Sequence, residues 1–220
     1  MPSDPILDSN RALKIGWHAG ARGARVHRIA LAIVSHVASV AAAPRIVAWG
    51  GSGGGYAALR LARDHSNTTA FVWNPQTNIA QYSAPAVRAF ERAGGYDSSA
   101  CFADSSDMNL AKPDSWRWFL GSVIYFQESS DWHVEKHLMP VLEAMGSTET
   151  IEDLETAVIS QPSRALTLVL SRWGDGHVPP PRDVIECVLR GLAGPAPNNL
   201  EVAESCRPML LDARREVEST

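Results

Sequence analysis

A serine set among glycines, between an apolar run and a small-residue stretch, carries the strongest chemical signal in this sequence. The stretch reads Arg45-Ile46-Val47-Ala48-Trp49-Gly50-Gly51-Ser52-Gly53-Gly54-Gly55-Tyr56-Ala57-Ala58-Leu59. It contains G-x-S-x-G, which at a strand-to-helix junction makes a sharp turn and lifts the hydroxyl above a sheet. The flanking residues must be tiny so that neighbouring backbone does not collide. The amides that follow open a helix N-terminus, where they can receive charge developing on an oxygen; Gly53 is the first expected donor. A serine hydroxyl is a poor nucleophile near neutral pH and needs a base beside it.

Two later loops offer the partners. Glu128-Ser129-Ser130-Asp131-Trp132-His133 follows one apolar run, and Arg172-Trp173-Gly174-Asp175-Gly176-His177 follows the next. The order serine, acid, histidine is the one this kind of site uses. His177 is expected to accept the Ser52 proton. Asp131 is expected to fix its tautomer and stabilise the imidazolium. Glu128 and Asp175 compete for that last role, but Asp175 lies only two residues from His177, an awkward place from which to hold its ring.

The same glycines admit other chemistry. Gly51-Ser52-Gly53-Gly54-Gly55 spells G-x-G-x-G, as in methyltransferase cofactor loops. A dinucleotide loop needs a glycine where Tyr56 stands, and the G-K-[ST] of a Walker A loop is absent. Such loops also want an acid on the next strand end. That strand ends Phe71-Val72-Trp73-Asn74, where only Asn74 could meet a ribose.

These residues need a frame. Apolar runs at Leu13–Trp17, Arg45–Trp49, Thr69–Asn74, Ser122–Gln127 and Ala165–Ser171 predict strands buried on both faces. Val26, Ile29, Ile33, Val37 and Val40 recur at helical spacing, and Pro44 ends that helix. Helices are also expected over Gly54–His65, Ala84–Ala93, His133–Met145 and Pro181–Leu192. This alternation predicts a three-layer α/β/α protein with a mainly parallel sheet, its chemistry at the strand carboxyl ends. Residues 1–220 are expected to form one domain. Within it, 75–121 is a long crossover suited to a lid, and 194–220 is a C-terminal helical extension interrupted near Pro208.

Composition sets outer bounds. The chain has 220 residues, 45% hydrophobic, enough for one sizeable core. A net charge of −4 argues against a nucleic-acid partner. The longest apolar stretch, Ile29 to Ala43, is broken by Ser35, His36 and Ser39, so no membrane span is expected. The first residues lack the layout of a secretory signal. Cys101, Cys187 and Cys206 are expected as free thiols, and a cytoplasmic location follows. His133 and His137 stand four apart, but the sequence between them fits neither metalloprotease pattern, so no metal is expected. Trp17, Trp49, Trp73 and Trp173 all end predicted strands and Trp132 follows Asp131. Together with Asn74 and His133, Trp17, Trp73, Trp132 and Trp173 are expected to line a flat acyl or sugar pocket.

From the first run to His177 and its helix, the chain resembles the α/β-hydrolase superfamily. Gly51 to Leu59, Asn74-Pro75-Gln76, Gln127-x-x-x-Asp131-x-His133 and Gly174 to His177 more loosely resemble hydrolase-like proteins of bacterial capsule and surface-glycan gene sets. The resemblance implies esterase or acyltransferase chemistry through a Ser52 acyl-enzyme, on a small-molecule ester or acyl donor, without a cofactor. A full hydrolase fold has more strands before its elbow, one of which is followed by a loop carrying a second oxyanion donor. Here only Leu13–Trp17 precedes it, so Trp17 and His18 are the expected source of that amide. A methyltransferase or a non-catalytic ligand-binding relic stays open, as does a homo-oligomer.

Overall fold

The computed structural model describes residues 4–98, 102, 105, 107–147 and 158–219. Five strands form one sheet: β1 (Ile46–Gly51), β2 (Thr68–Trp73), β3 (Ser122–Glu128), β4 (Val158–Ser163) and β5 (Leu166–Ser171). Their spatial order is β1-β2-β3-β5-β4. The first four in that order are parallel, and β4 pairs antiparallel with β5 at the edge. In register, Gly51 faces Trp73 and Glu128 faces Ser171, which aligns the carboxyl ends of β1, β2, β3 and β5.

The central strands are apolar on both faces because both are covered. Ala70, Val72, Val123, Tyr125, Leu168 and Leu170 enter one core cluster, which they share with Tyr56, Leu59, Val87 and Phe90. Alternate residues Phe71, Ile124, Phe126 and Val169 enter the other, with Val184, Val188, Leu192, Val202 and Leu210. The first face is covered by α3 (Ser52–Asp64) and by Val134, Leu138, Val141 and Leu142 of the segment after β3, with Val87 and Phe90 of α4 (Ala84–Gly94) packed in the same cluster. The second is covered by α7 (Arg182–Leu192), α8 (Asn199–Ser205) and α9 (Arg207–Glu218). This period-two division of buried side chains produces the expected three-layer α/β architecture.

Several expectations are corrected. Leu13–Trp17 is not a strand; it is a loop after α1 (Pro5–Ser9), and both Trp17 and His18 have positive φ, 55° and 50°. Its backbone is held by Asp4, whose Oδ2 accepts from the His18 N–H at 2.7 Å. β1 is therefore outermost among the described strands. Helix α2 (Val26–Val40) forms where its periodicity places it, but the apolar stripe faces outward, with Ile29, Ile33, Val37 and Val40 exposed. Ala30 and Val34 instead face α3, across a small cavity from Ala57 and Leu61. The expected helix 133–145 is a π-helical turn (Val134–Leu138) followed by α6 (Met139–Ala144).

The crossover 75–121 holds a 3₁₀ turn (Ile79–Gln81), α4 and α5 (Pro113–Arg117). Its aromatic cluster, Trp116-Arg117-Trp118-Phe119, is no lid over the strand carboxyl ends. Trp116 stacks on Phe119 at 4.8 Å, immediately before β3 begins, and borders a groove shared with Ser163. That is the opposite, amino-terminal edge of the parallel strands. Cys187 and Cys206 are free thiols, and Cys101 lies outside the described residues. No helix among the described residues is long and apolar enough to cross a membrane.

Candidate active site

The turn from β1 into α3 is a tight one. Ser52 has φ 52°, a left-handed conformation that a non-glycine residue adopts at a cost of roughly 1–2 kcal/mol. Close approach explains its neighbours. A side chain at Gly51 would collide with the Trp73 indole; one at Gly55 would lie 2.8 Å from Pro75 Cβ and 3.1 Å from the Gly50 carbonyl. The glycines thus let α3 leave β1 with almost no intervening chain. Gly53 lies in the first turn of α3, where backbone N–H groups have no partner four residues back.

Asp131 and His177 come together after β3 and β5. The His177 Nδ1 lies 2.6 Å from Asp131 Oδ2, and the Asp131 side chain is buried. An ionised carboxylate only accepts, so Nδ1 carries the hydrogen and Nε2 is left with a lone pair. The two competitors are placed elsewhere. Glu128 Oε2 accepts from the Ser130 N–H and hydroxyl, at 2.7 and 2.6 Å. Asp175 pairs with Arg172 at 2.7 Å and is exposed.

Asp131 holds a second imidazole. His133 Nδ1 lies 2.8 Å from Asp131 Oδ1, which also accepts the His133 backbone N–H at 3.1 Å. Burial alone would raise the Asp131 pKa; the hydrogen bonds from His133 and His177 outweigh it and hold the carboxyl well below the usual range. His133 is itself buried, which lowers its pKa against the opposing pull of Asp131. His137 continues the stack, 4.7 Å from the His133 ring, and its Nδ1 accepts the Thr77 N–H at 3.2 Å. Burial, reinforced by neighbouring His133, brings the His137 pKa down to about 3.

Ser52 and His177 line one cleft of about 360 Å³, together with Gly51, Trp73, Asn74, Val178 and Pro179. No hydrogen bond joins the serine hydroxyl to His177. The Ser52 Oγ instead accepts from Gln76 Nε2 at 2.8 Å. Gln76 is fully buried; its Oε1 accepts from the Trp17 indole, and its backbone N–H donates to the Ser52 carbonyl at 3.2 Å.

The expected pocket residues divide. Trp73 lines the cleft. Trp17 is buried, edge-on to Tyr82 and Phe90, and reaches the site only through Gln76. His133 is buried against Asp131 rather than presented to a ligand. Trp132 is exposed and covers His133 at 4.0 Å. Asn74 touches the cleft, but its polar atoms are engaged within the protein. Its Oδ1 accepts from Glu128 N and Gln127 Nε2, and its Nδ2 donates to the Val178 carbonyl at 2.8 Å. Trp173 is buried and donates to that same carbonyl at 3.2 Å. Both therefore fix the residue after His177. The His18 amide, expected as an oxyanion donor, is bonded to Asp4.

Asp131, His133 and His177 could also hold a metal ion, since their ligand atoms lie within 4.8 Å of one another. Both Nδ1 atoms already meet the Asp131 carboxylate. A metal held through the Nδ1 atoms would have to replace those bonds.

No protein-family model, no curated protein and no solved structure matches the chain. The site must be read from its own geometry.

Proposed function

We propose that this chain is a serine hydrolase, or a related acyltransferase, of the α/β-hydrolase kind, acting on an ester of a small metabolite or glycan. The single observation that supports it most is the Asp131–His177 hydrogen bond at 2.6 Å, with His177 and the strained Ser52 lining one cleft. His177 is the general base. The Ser52 Oγ attacks the acyl carbon, its proton passes to His177 Nε2, and the carbonyl electron pair moves onto the oxygen. As that intermediate collapses, the bond to the leaving alkoxide breaks and His177 returns the proton to it. Water or an acceptor alcohol then releases the acyl group by the same steps in reverse. The missing Ser52–His177 bond does not oppose this reading, because catalytic hydrogen bonds often form only with substrate bound.

The test is reaction with an alkyl fluorophosphonate, read by mass spectrometry of the intact protein. One adduct on the wild type and none on Ser52→Ala is the expected result. An unlabelled wild type that binds S-adenosylmethionine would favour the methyltransferase reading instead.

A further inference from the structure

We propose that the side-chain amide of Gln76 is a catalytic oxyanion donor, supplying the contact that the loop at Trp17 and His18 was expected to give from its backbone. The inference rests on the serine-hydrolase reading of Ser52.

The orientation of the amide follows from donor chemistry. An indole N–H can only donate. It meets Gln76 on one side, so Oε1 must face Trp17. The NH₂ group therefore faces Ser52, with Nε2 2.8 Å from Oγ. The Gln76 backbone N–H on the Ser52 carbonyl fixes the other end of the residue. Full burial leaves the amide no alternative partner in water.

Its position is also correct. A Cβ built on Gly53 would lie 3.6 Å from Gln76 Oε1, so the amide stands beside the residue expected to give the first donor. Gln76 meets the Ser52 hydroxyl directly, whereas His177 faces it across the cleft, so the amide and the base occupy different places around Ser52. An oxyanion is bonded to the same carbon as Oγ in the tetrahedral intermediate, so it forms next to Oγ. A donor held against Oγ at rest needs only a small shift to reach it. Because Trp17 holds the amide before substrate arrives, little reorganisation accompanies the reaction.

The experiment compares wild type, Gln76→Met and Trp17→Phe, all checked for native melting. Gln76→Met keeps the length of the chain and removes the donor. Trp17→Phe keeps an aromatic ring and removes the group that orients the amide. The readouts are the rate of phosphonylation by the fluorophosphonate, in which the Ser52 O–P bond forms and fluoride leaves, and the acylation rate and KM with p-nitrophenyl acetate. Gln76→Met is expected to lower both rates by about 100-fold with KM little changed, as for loss of one oxyanion donor. Trp17→Phe is expected to lower them by about 10-fold. A folded Gln76→Met within about threefold of wild type would overturn the inference while leaving the hydrolase reading intact. If Gln76→Met does not fold, Trp17→Phe decides, and a rate within about twofold of wild type overturns it. A wild type that takes no label at Ser52 ends both proposals.

Discussion

His133 and His177 stack face to face, 4.3 Å between ring centroids and 22° from parallel, each bonded through Nδ1 to a different oxygen of Asp131. With both oxygens engaged, the carboxylate cannot turn away from His177 without breaking a bond to His133. In the proposed mechanism His133 positions Asp131 and, through it, His177. His133→Phe is expected to slow Ser52 phosphonylation by about 10-fold, because the backbone N–H at residue 133 still holds Oδ1. His133→Asn, whose amide can donate from the same place, should recover most of the rate. Equal losses in both variants at equal melting temperatures would rule out a role through that bond.

The buried histidines predict an acid-sensitive fold. An unfolded chain protonates residue 137 near pH 6.5, whereas the native ring resists until about pH 3. Between those values the unfolded state binds more protons, so stability rises with pH. This contribution is complete above roughly pH 6.5 and is lost as pH falls toward 3, at up to about 1.4 kcal/mol per pH unit. His133, also shifted down, acts in the same direction. His137→Asn keeps an acceptor for the Thr77 N–H but cannot titrate. Urea denaturation across this range should give a flatter profile for the variant; an unchanged slope would contradict the assignment.

The elbow strain can be measured without catalysis. Ser52→Ala and Ser52→Gly both lose the bond from Gln76 and both lose the proposed nucleophile. They differ in the cost of holding φ near 52°, which glycine adopts freely. Ser52→Gly is therefore expected to be the more stable variant, by about 1 kcal/mol in chemical denaturation. Equal midpoints would show that the turn stores no such strain.

Asn74 should act on rate through the His177 loop rather than through substrate affinity. Asn74→Asp preserves acceptors for Glu128 N and Gln127 Nε2 but turns an oxygen toward the Val178 carbonyl. A folded protein with kcat reduced about 10-fold and KM nearly constant is expected. A rise in KM with kcat unchanged would instead make Asn74 a substrate contact.

What could be read beforehand has a physical pattern. The elbow and the four parallel strands were legible because doubly covered strands are continuous apolar runs and the turn demands glycine. Leu13–Trp17 imitates such a run, yet Trp17 and His18 take positive φ, the Leu13 N–H bonds back to the Asn10 carbonyl, and the His18 N–H bonds to Asp4. Val158–Ser163 was missed because an edge strand tolerates Pro162 and polar residues that mask the pattern. Periodicity located α2 but not the direction its stripe would face. Gln76 lies in the Asn74-Pro75-Gln76 stretch, where nothing local gives it a role. Its meaning depends on Trp17, 59 residues away, and no local spacing encodes that contact. His133 lies two residues from Asp131 in the sequence, but its burial and its hold on the second oxygen are tertiary facts.

The residue on each side of His177 is anchored: Gly176 through its N–H to the Ser130 hydroxyl at 2.9 Å, and Val178 through its carbonyl to both Asn74 and Trp173. Backbone excursion is thereby removed as a way of arming the base. What remains is the turn of a side chain, the Ser52 hydroxyl toward an imidazole that Asp131 and His133 already hold, a hop of the kind side chains complete in picoseconds to nanoseconds. On the proposed mechanism, readiness of the base should then not govern the pace of turnover, leaving bond-making or product departure to set the clock.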